Sequence, residues 1–141
     1  MKNLIPRLLF SALILGASLP VRADIPPELM AKFLKVICTN SGSAGRVSLQ
    51  DAALGKALDS LGVSTDKAAK VAWATNEADV KSQAAAGKLV VCNRLALLPQ
   101  GGSIAIVEED GKPAIYLHTG HIAQSGAKVS GAILKIGKQN M

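Results

Sequence analysis

The chain has 141 residues and a formal net charge of +6, with 16 basic residues against 10 acidic ones. Its lysines are scattered among Asp and Glu, and past residue 23 the aromatic residues reduce to Phe33, Trp73 and Tyr116. A nucleic-acid face gathers basic residues on one surface, usually with aromatics, so that class is excluded. The length suits one domain able to bury about two-thirds of its unfolded surface.

Lys2 and Arg7 precede an apolar run from Leu8 to Leu19, and Val21-Arg22-Ala23 sets small residues at −3 and −1 of a cleavage point. That order is the order of a secretory signal. A membrane anchor needs about 20 apolar residues, and Pro20 and Arg22 end this run early. The expectation is a signal peptide over 1–23, a mature start at Asp24, and one periplasmic α/β domain over 24–141 with no membrane insertion after cleavage. The leader holds Lys2, Arg7 and Arg22, which leaves the mature domain 13 basic and 10 acidic residues and a net charge of +3.

Pro26-Pro27 stiffens the start of the domain, and Met30, Phe33, Leu34 and Ile37 then recur at helical spacing, predicting a helix from about 27 to 39. The segment 40–45 reads as a loop. Val47 and Leu49 alternate with Ser48 and Gln50 as a short strand. Asp51 is placed to cap a helix over 52–61 that Gly62 closes. A second strand runs over 70–74. Asn76 opens a helix that ends at Gly87. The third strand, 88–92, contains Leu89-Val90-Val91, an apolar run that suits burial on both faces.

Beyond Pro99-Gln100-Gly101-Gly102, read as a turn, Ile104 to Val107 form a strand. Asp110-Gly111 is a hairpin dipeptide, and 114–117 return antiparallel. Short helices follow, one ending at Gly126 and one over 130–136. The expected fold class is α/β: a small mixed sheet of about five strands with helices on both faces, closed by a C-terminal β-hairpin plus helices.

Candidate chemistry is sparse. Gly42 to Gly45 lie between a helix and a strand, the wrong order for a phosphate loop. His118 and His121 are the only two histidines. A metal site needs three or four ligands, so these read as capping or surface residues, with His118 at a helix cap and His121 inside; no metal or cofactor is expected. No Ser-His-Asp or Cys-His-Asn frame is present, and the acidic residues lie at caps and turns, which argues against an enzyme. Cys38 and Cys92 leave two readings open. An even cysteine count in an oxidising compartment favours a bridge. Cys38 lies near the end of the first helix, close to where the first strand begins, and Cys92 at the far end of a strand expected parallel to it. Those strand ends are expected roughly 13–17 Å apart, while a disulfide needs Cα atoms within about 7 Å, which favours two buried free thiols.

Gly101 to His118 and Gly126 to Ile136, with Leu29 to Lys35 in the first helix, resemble the YfiR/HmsC-like periplasmic proteins. That family reads Gly-Gly, an apolar strand, an acidic-Gly turn, a returning strand, a short helix, and Gly-x-x-x-Ser before a Leu-Leu-Lys-rich end. The chain departs from it at Cys38-Thr39-Asn40, where the family has Trp-Pro, at His118, where it has Asn, and in a middle shorter by about one strand-helix unit. The resemblance implies a non-enzymatic regulatory protein that docks on a partner. In the best-known members the partner is an inner-membrane diguanylate cyclase of cyclic-di-GMP signalling, and the regulator is often a homodimer. Leu29, Val36, Asn40, Ser41 and Ser43, on the first helix and its loop, are the candidate partner surface, because the helix is apolar over more than one stripe. The alternative is a small-ligand-binding module using the cleft at the carboxyl ends of the strands, near Trp73, Thr75, Asn76, Asn93 and Arg94.

Overall fold

The structure is a computed structural model that describes residues 25–41 and 45–139. The expected signal peptide, its cleavage point before Asp24, and Ser43 lie outside the described residues.

Pro27 at the first helical position fits the fixed φ of proline and begins helix α1, Pro27–Asn40. The backbone carbonyl of Pro26 accepts the amides of Leu29 and Met30. Strand β1, Arg46–Val47, is followed by helix α2, Ala52–Ser60, whose cap is Asp51. Asp51 Oδ1 accepts the amide of Leu54 at 3.0 Å. Next come strand β2 (Ser64–Thr65), strand β3 (Val71–Trp73) and helix α3 (Glu77–Ala85). Strand β4 (Leu89–Cys92) has all of its residues buried, and a 3-10 turn, Leu95–Leu97, leads toward strand β5, Ile104–Glu109. Strand β6 is Lys112–Leu117, helix α4 Thr119–Ser125, helix α5 Gly131–Ile136 and strand β7 Lys138–Gln139.

The α/β class stands: a mixed five-stranded sheet in the order β3-β4-β5-β6-β7, with helices on both faces. Only β5–β6 pairs antiparallel. Its turn carries Asp110 and Gly111 at φ 53° and 77°, the double positive φ that a two-residue hairpin demands. The first expected strand is not one of the five. It pairs with β2 in a small parallel sheet and joins the larger one through Ser48 and Ala72, where Ser48 N–H donates to Val71 O and Trp73 N–H to Ser48 O. The run is therefore continuous in the order β2-β1-β3-β4-β5-β6-β7. β2 and β7 give no apolar signal because their side chains are exposed and only their backbones pair.

Strand alternation divides the core. Val71, Trp73, Leu89, Val91, Ile104 and Ile106 pack under α1 and α2. Val90, Cys92 and Ala105 pack on the other face with Val80 of α3 and with Leu97 and Leu98. Cys38 belongs to the first layer and Cys92 to the second, with the sheet between them, and both thiols are free. Of the two readings for the cysteines, the fold holds buried free thiols. Burial pushes each up to about 12, which leaves them unreactive at neutral pH. No described helix is long and apolar enough to cross a membrane.

Candidate functional site

In an open α/β sheet a crevice forms where neighbouring strands send the chain in opposite directions, outside their carboxyl ends. Here that point is β1–β3: the chain leaves β1 toward β2 and leaves β3 toward β4. A cleft of about 690 Å³ opens there, within the range of small-ligand pockets. Its floor is built from the strand ends, Trp73 and Thr75 after β3, Asn93 and Arg94 after β4, and Ile106 and Glu108 on β5. The starts of α1 and α2 roof it with Ile25, Met30, Asp51 and Leu54, and Leu95 and Ala96 of the 3-10 turn form one wall.

The cleft's polar groups differ in how they are occupied. Arg94 Nη2 donates to Thr75 O at 2.7 Å and ties the two strand ends together. Asp51 caps α2. Glu108 accepts the backbone N–H of Gly111, and Glu109 accepts the Tyr116 hydroxyl. Glu109 also pairs with Lys138 at 3.2 Å. The bond from Tyr116 and that from Lys138 hold Glu109 below the usual carboxylate range. Among the described residues, the buried side-chain polar atoms with no hydrogen-bond partner are Trp73 Nε1 and Asn93 Oδ1, and both residues line this cleft.

Of the five ligand-cleft candidates read from the sequence, Trp73, Thr75, Asn93 and Arg94 meet at the cleft. Asn76 does not: it is exposed, and its Oδ1 caps α3 by accepting the Asp79 amide at 2.8 Å. Met30, Asp51, Leu54, Ile106 and Glu108 were not anticipated. Ile106 and Glu108 alternate on β5 and were detectable by period two; the helix starts needed the topology. On the partner-surface list, Val36 is 40% exposed and Leu29 half-buried. Asn40 is exposed, with its amide donating to Val36 O at 3.0 Å. Ser41 is buried, and its hydroxyl turns in to Cys38 O, so it is removed from that surface.

The histidines lie at the opposite end of the strands, beside the start of β5, where His118 N–H donates to Ser103 O. Their rings stack at 3.6 Å. His118 Nδ1 accepts the His121 amide at 3.1 Å as the cap of α4, and His121 Nδ1 lies 2.8 Å from Gly102 O. A carbonyl only accepts, so that His121 nitrogen carries the proton. With both Nδ1 atoms engaged, the pair does structural work. Among the described residues no His, Cys, Asp or Glu side chains gather in threes as metal ligands.

No protein-family model matches the chain, and no characterised protein matches it in sequence. Solved structures share its fold. One is the ABC domain from Streptococcus pneumoniae in complex with L-Trp, at a TM-score of 0.59 and 10% identity over 82% of this chain and 60% of that one. Another is a conserved domain protein from Vibrio cholerae O1 biovar El Tor strain N16961, also at 0.59, with 13% identity over 86% of this chain and 63% of that one. The chain thus spans about three-fifths of the length of these structures. At such identities the likeness is one of fold.

Proposed function

We propose that this chain is a non-enzymatic, periplasmic small-ligand-binding protein whose ligand sits at the carboxyl ends of β1, β3 and β4. The observation that carries this reading is the 690 Å³ cleft at the point where the strand order reverses. A fold neighbour described in complex with L-Trp adds support. The cleft's carboxylates are engaged in capping, in the hairpin turn and with Tyr116 and Lys138. That leaves binding, rather than acid–base chemistry, as the use of the site.

The test is thermal melting and calorimetry of the exported protein against amino acids, nucleobases, nucleosides and aryl carboxamides. Wild type is compared with Ala96→Trp, which fills the cleft from an exposed position. At 100 times Kd a ligand stabilises by about 2.7 kcal/mol. A compound that shifts wild type and not Ala96→Trp is the expected result. No shift across the panel, or equal shifts in both proteins, refutes the reading.

A second reading, docking on a partner protein in the manner of YfiR/HmsC-like regulators of diguanylate cyclases, rests on Val36, which α1 leaves exposed. The same chain can carry both roles, with occupancy of the cleft as the signal and α1 as the contact.

A further inference from the structure

Two residues that line the cleft each carry a buried polar atom, one a donor and one an acceptor, that the protein leaves unmatched. Trp73 is only 7% exposed, and its indole N–H meets no acceptor. Asn93 Oδ1 is buried and meets no donor. Buried polar groups are almost always hydrogen-bonded, and an exception calls for an explanation. Trp73 pairs with Val91 in the β3–β4 register, and Asn93 follows Val91 by two residues. Both side chains therefore stand on the same face of adjacent strands, the face that carries the cleft.

The surroundings narrow what answers them. Ile25, Met30, Leu54 and Ile106 give apolar walls. On the lining Arg94 is outnumbered by Asp51 and Glu108, which are held by the Leu54 and Gly111 amides, while Glu109 is matched by Lys138, so an anion gains nothing net from the cleft's charge. We infer that the ligand is a neutral amide: a compact apolar or aromatic body bearing a C=O beside an N–H, as in an aryl carboxamide or a lactam. The ligand carbonyl accepts from Trp73 Nε1, and its N–H donates to Asn93 Oδ1. This assignment rests on the cleft being a small-ligand site.

The probes are benzamide, acetophenone, which keeps the carbonyl and lacks the N–H, and benzoate, which is an anion of the same shape. Trp73 is the only tryptophan in the chain, so its fluorescence reports binding directly, with calorimetry for variants that lack it. Benzamide is expected to bind, and acetophenone and benzoate at least about tenfold more weakly, because each leaves a buried group unpaired or brings an unmatched charge. Trp73→Phe keeps an aromatic ring without the N–H and is expected to weaken benzamide by about tenfold, measured below the variant's own melting temperature. Asn93→Asp places two acceptors where the amide was and is expected to invert the preference from benzamide to the cation benzamidine, a gain that misfolding does not produce. Benzoate or acetophenone binding as well as benzamide, or Asn93→Asp leaving the preference as it was, overturns the amide assignment while the cleft still binds. If no probe and no compound of the wider panel binds, the small-ligand reading fails as a whole.

Discussion

His118 ends β6 and caps α4 through the same ring, and a cap of that kind works only with Nδ1 unprotonated. Desolvation, and then the neighbouring charge of His121, hold its pKa below the ordinary 6.5. A histidine depressed on folding binds fewer protons folded than unfolded, so stability is full above pH 6.5 and falls as the pH drops through the folded value. Urea unfolding at pH 7.5 and pH 5 is expected to show this loss, and His118→Asn, which keeps a capping acceptor and does not titrate, is expected to reduce it. An equal loss in both proteins would assign the acid sensitivity elsewhere. The capping role was legible from Thr119-Gly120 following the ring. Of two asparagines, Asn76 was legible as the opening of a helix, while the unpartnered Asn93 was not. Asn76 precedes Glu77-Ala78-Asp79 and is consumed by the α3 cap, whereas Asn93 precedes a 3-10 turn and its Oδ1 stays unpartnered. Both are polar residues just beyond a strand, and only the conformation that follows separates them.

Helix α1 shows how far periodicity carries. Its start and end were legible from Pro26-Pro27 and the loop residues, and its apolar stripe was seen, yet the buried face is rotated. The buried residues are Met30, Ala31, Leu34, Ile37 and Cys38. At about 100° per residue, Phe33 sits about 100° from the centre of that face and Val36 about 160°. Two small residues, Ala31 and Cys38, turn inward because they let the helix lie close against its neighbours, and Phe33 is left half-buried at the flank. Leu34→Ala is therefore expected to destabilise by about 2–5 kcal/mol, Phe33→Ala by less than the roughly 3–5 kcal/mol of a fully buried phenylalanine, and Val36→Asp by no more than about 0.5 kcal/mol. Urea midpoints for the three variants give the ranking. If α1 docks on a partner or a second copy, Val36→Asp abolishes that association at an unchanged melting temperature; unchanged association dismisses the docking surface. The short strands β2 and β7 escaped sequence reading for a different reason: a strand of two exposed polar residues has no alternation to detect.

Across the whole molecule, the alternation of strand and helix segments made the layered fold legible, and the free cysteines follow from the layers, since Cys38 and Cys92 pack on opposite faces of one sheet. The cleft was legible as a place, because strand ends at a reversal of order form a crevice. Its roof was not, because α1 and α2 reach it only through contacts distant in sequence. The same topology sets an order of assembly. Only the β5–β6 hairpin closes over a two-residue turn. The β1–β2 and β3–β4 pairings each join residues 18 apart in the chain, such as 46 with 64 and 71 with 89. Non-local pairing meets a larger loop-closure entropy and forms more slowly. Pulse-labelled hydrogen exchange during refolding is expected to protect the Val107 and Tyr116 amides, which face the partner strand in the hydrogen-bonded pairs of the hairpin, before those of Ser64 and Leu89, which bond across β1–β2 and β3–β4; simultaneous protection would mean a nucleus that spans the sheet. On that order the hairpin edge is in place while the crevice is still open chain. If the cleft holds a ligand, that ligand finds its site only in the last species to form, and its presence slows unfolding of the finished protein without hastening its folding.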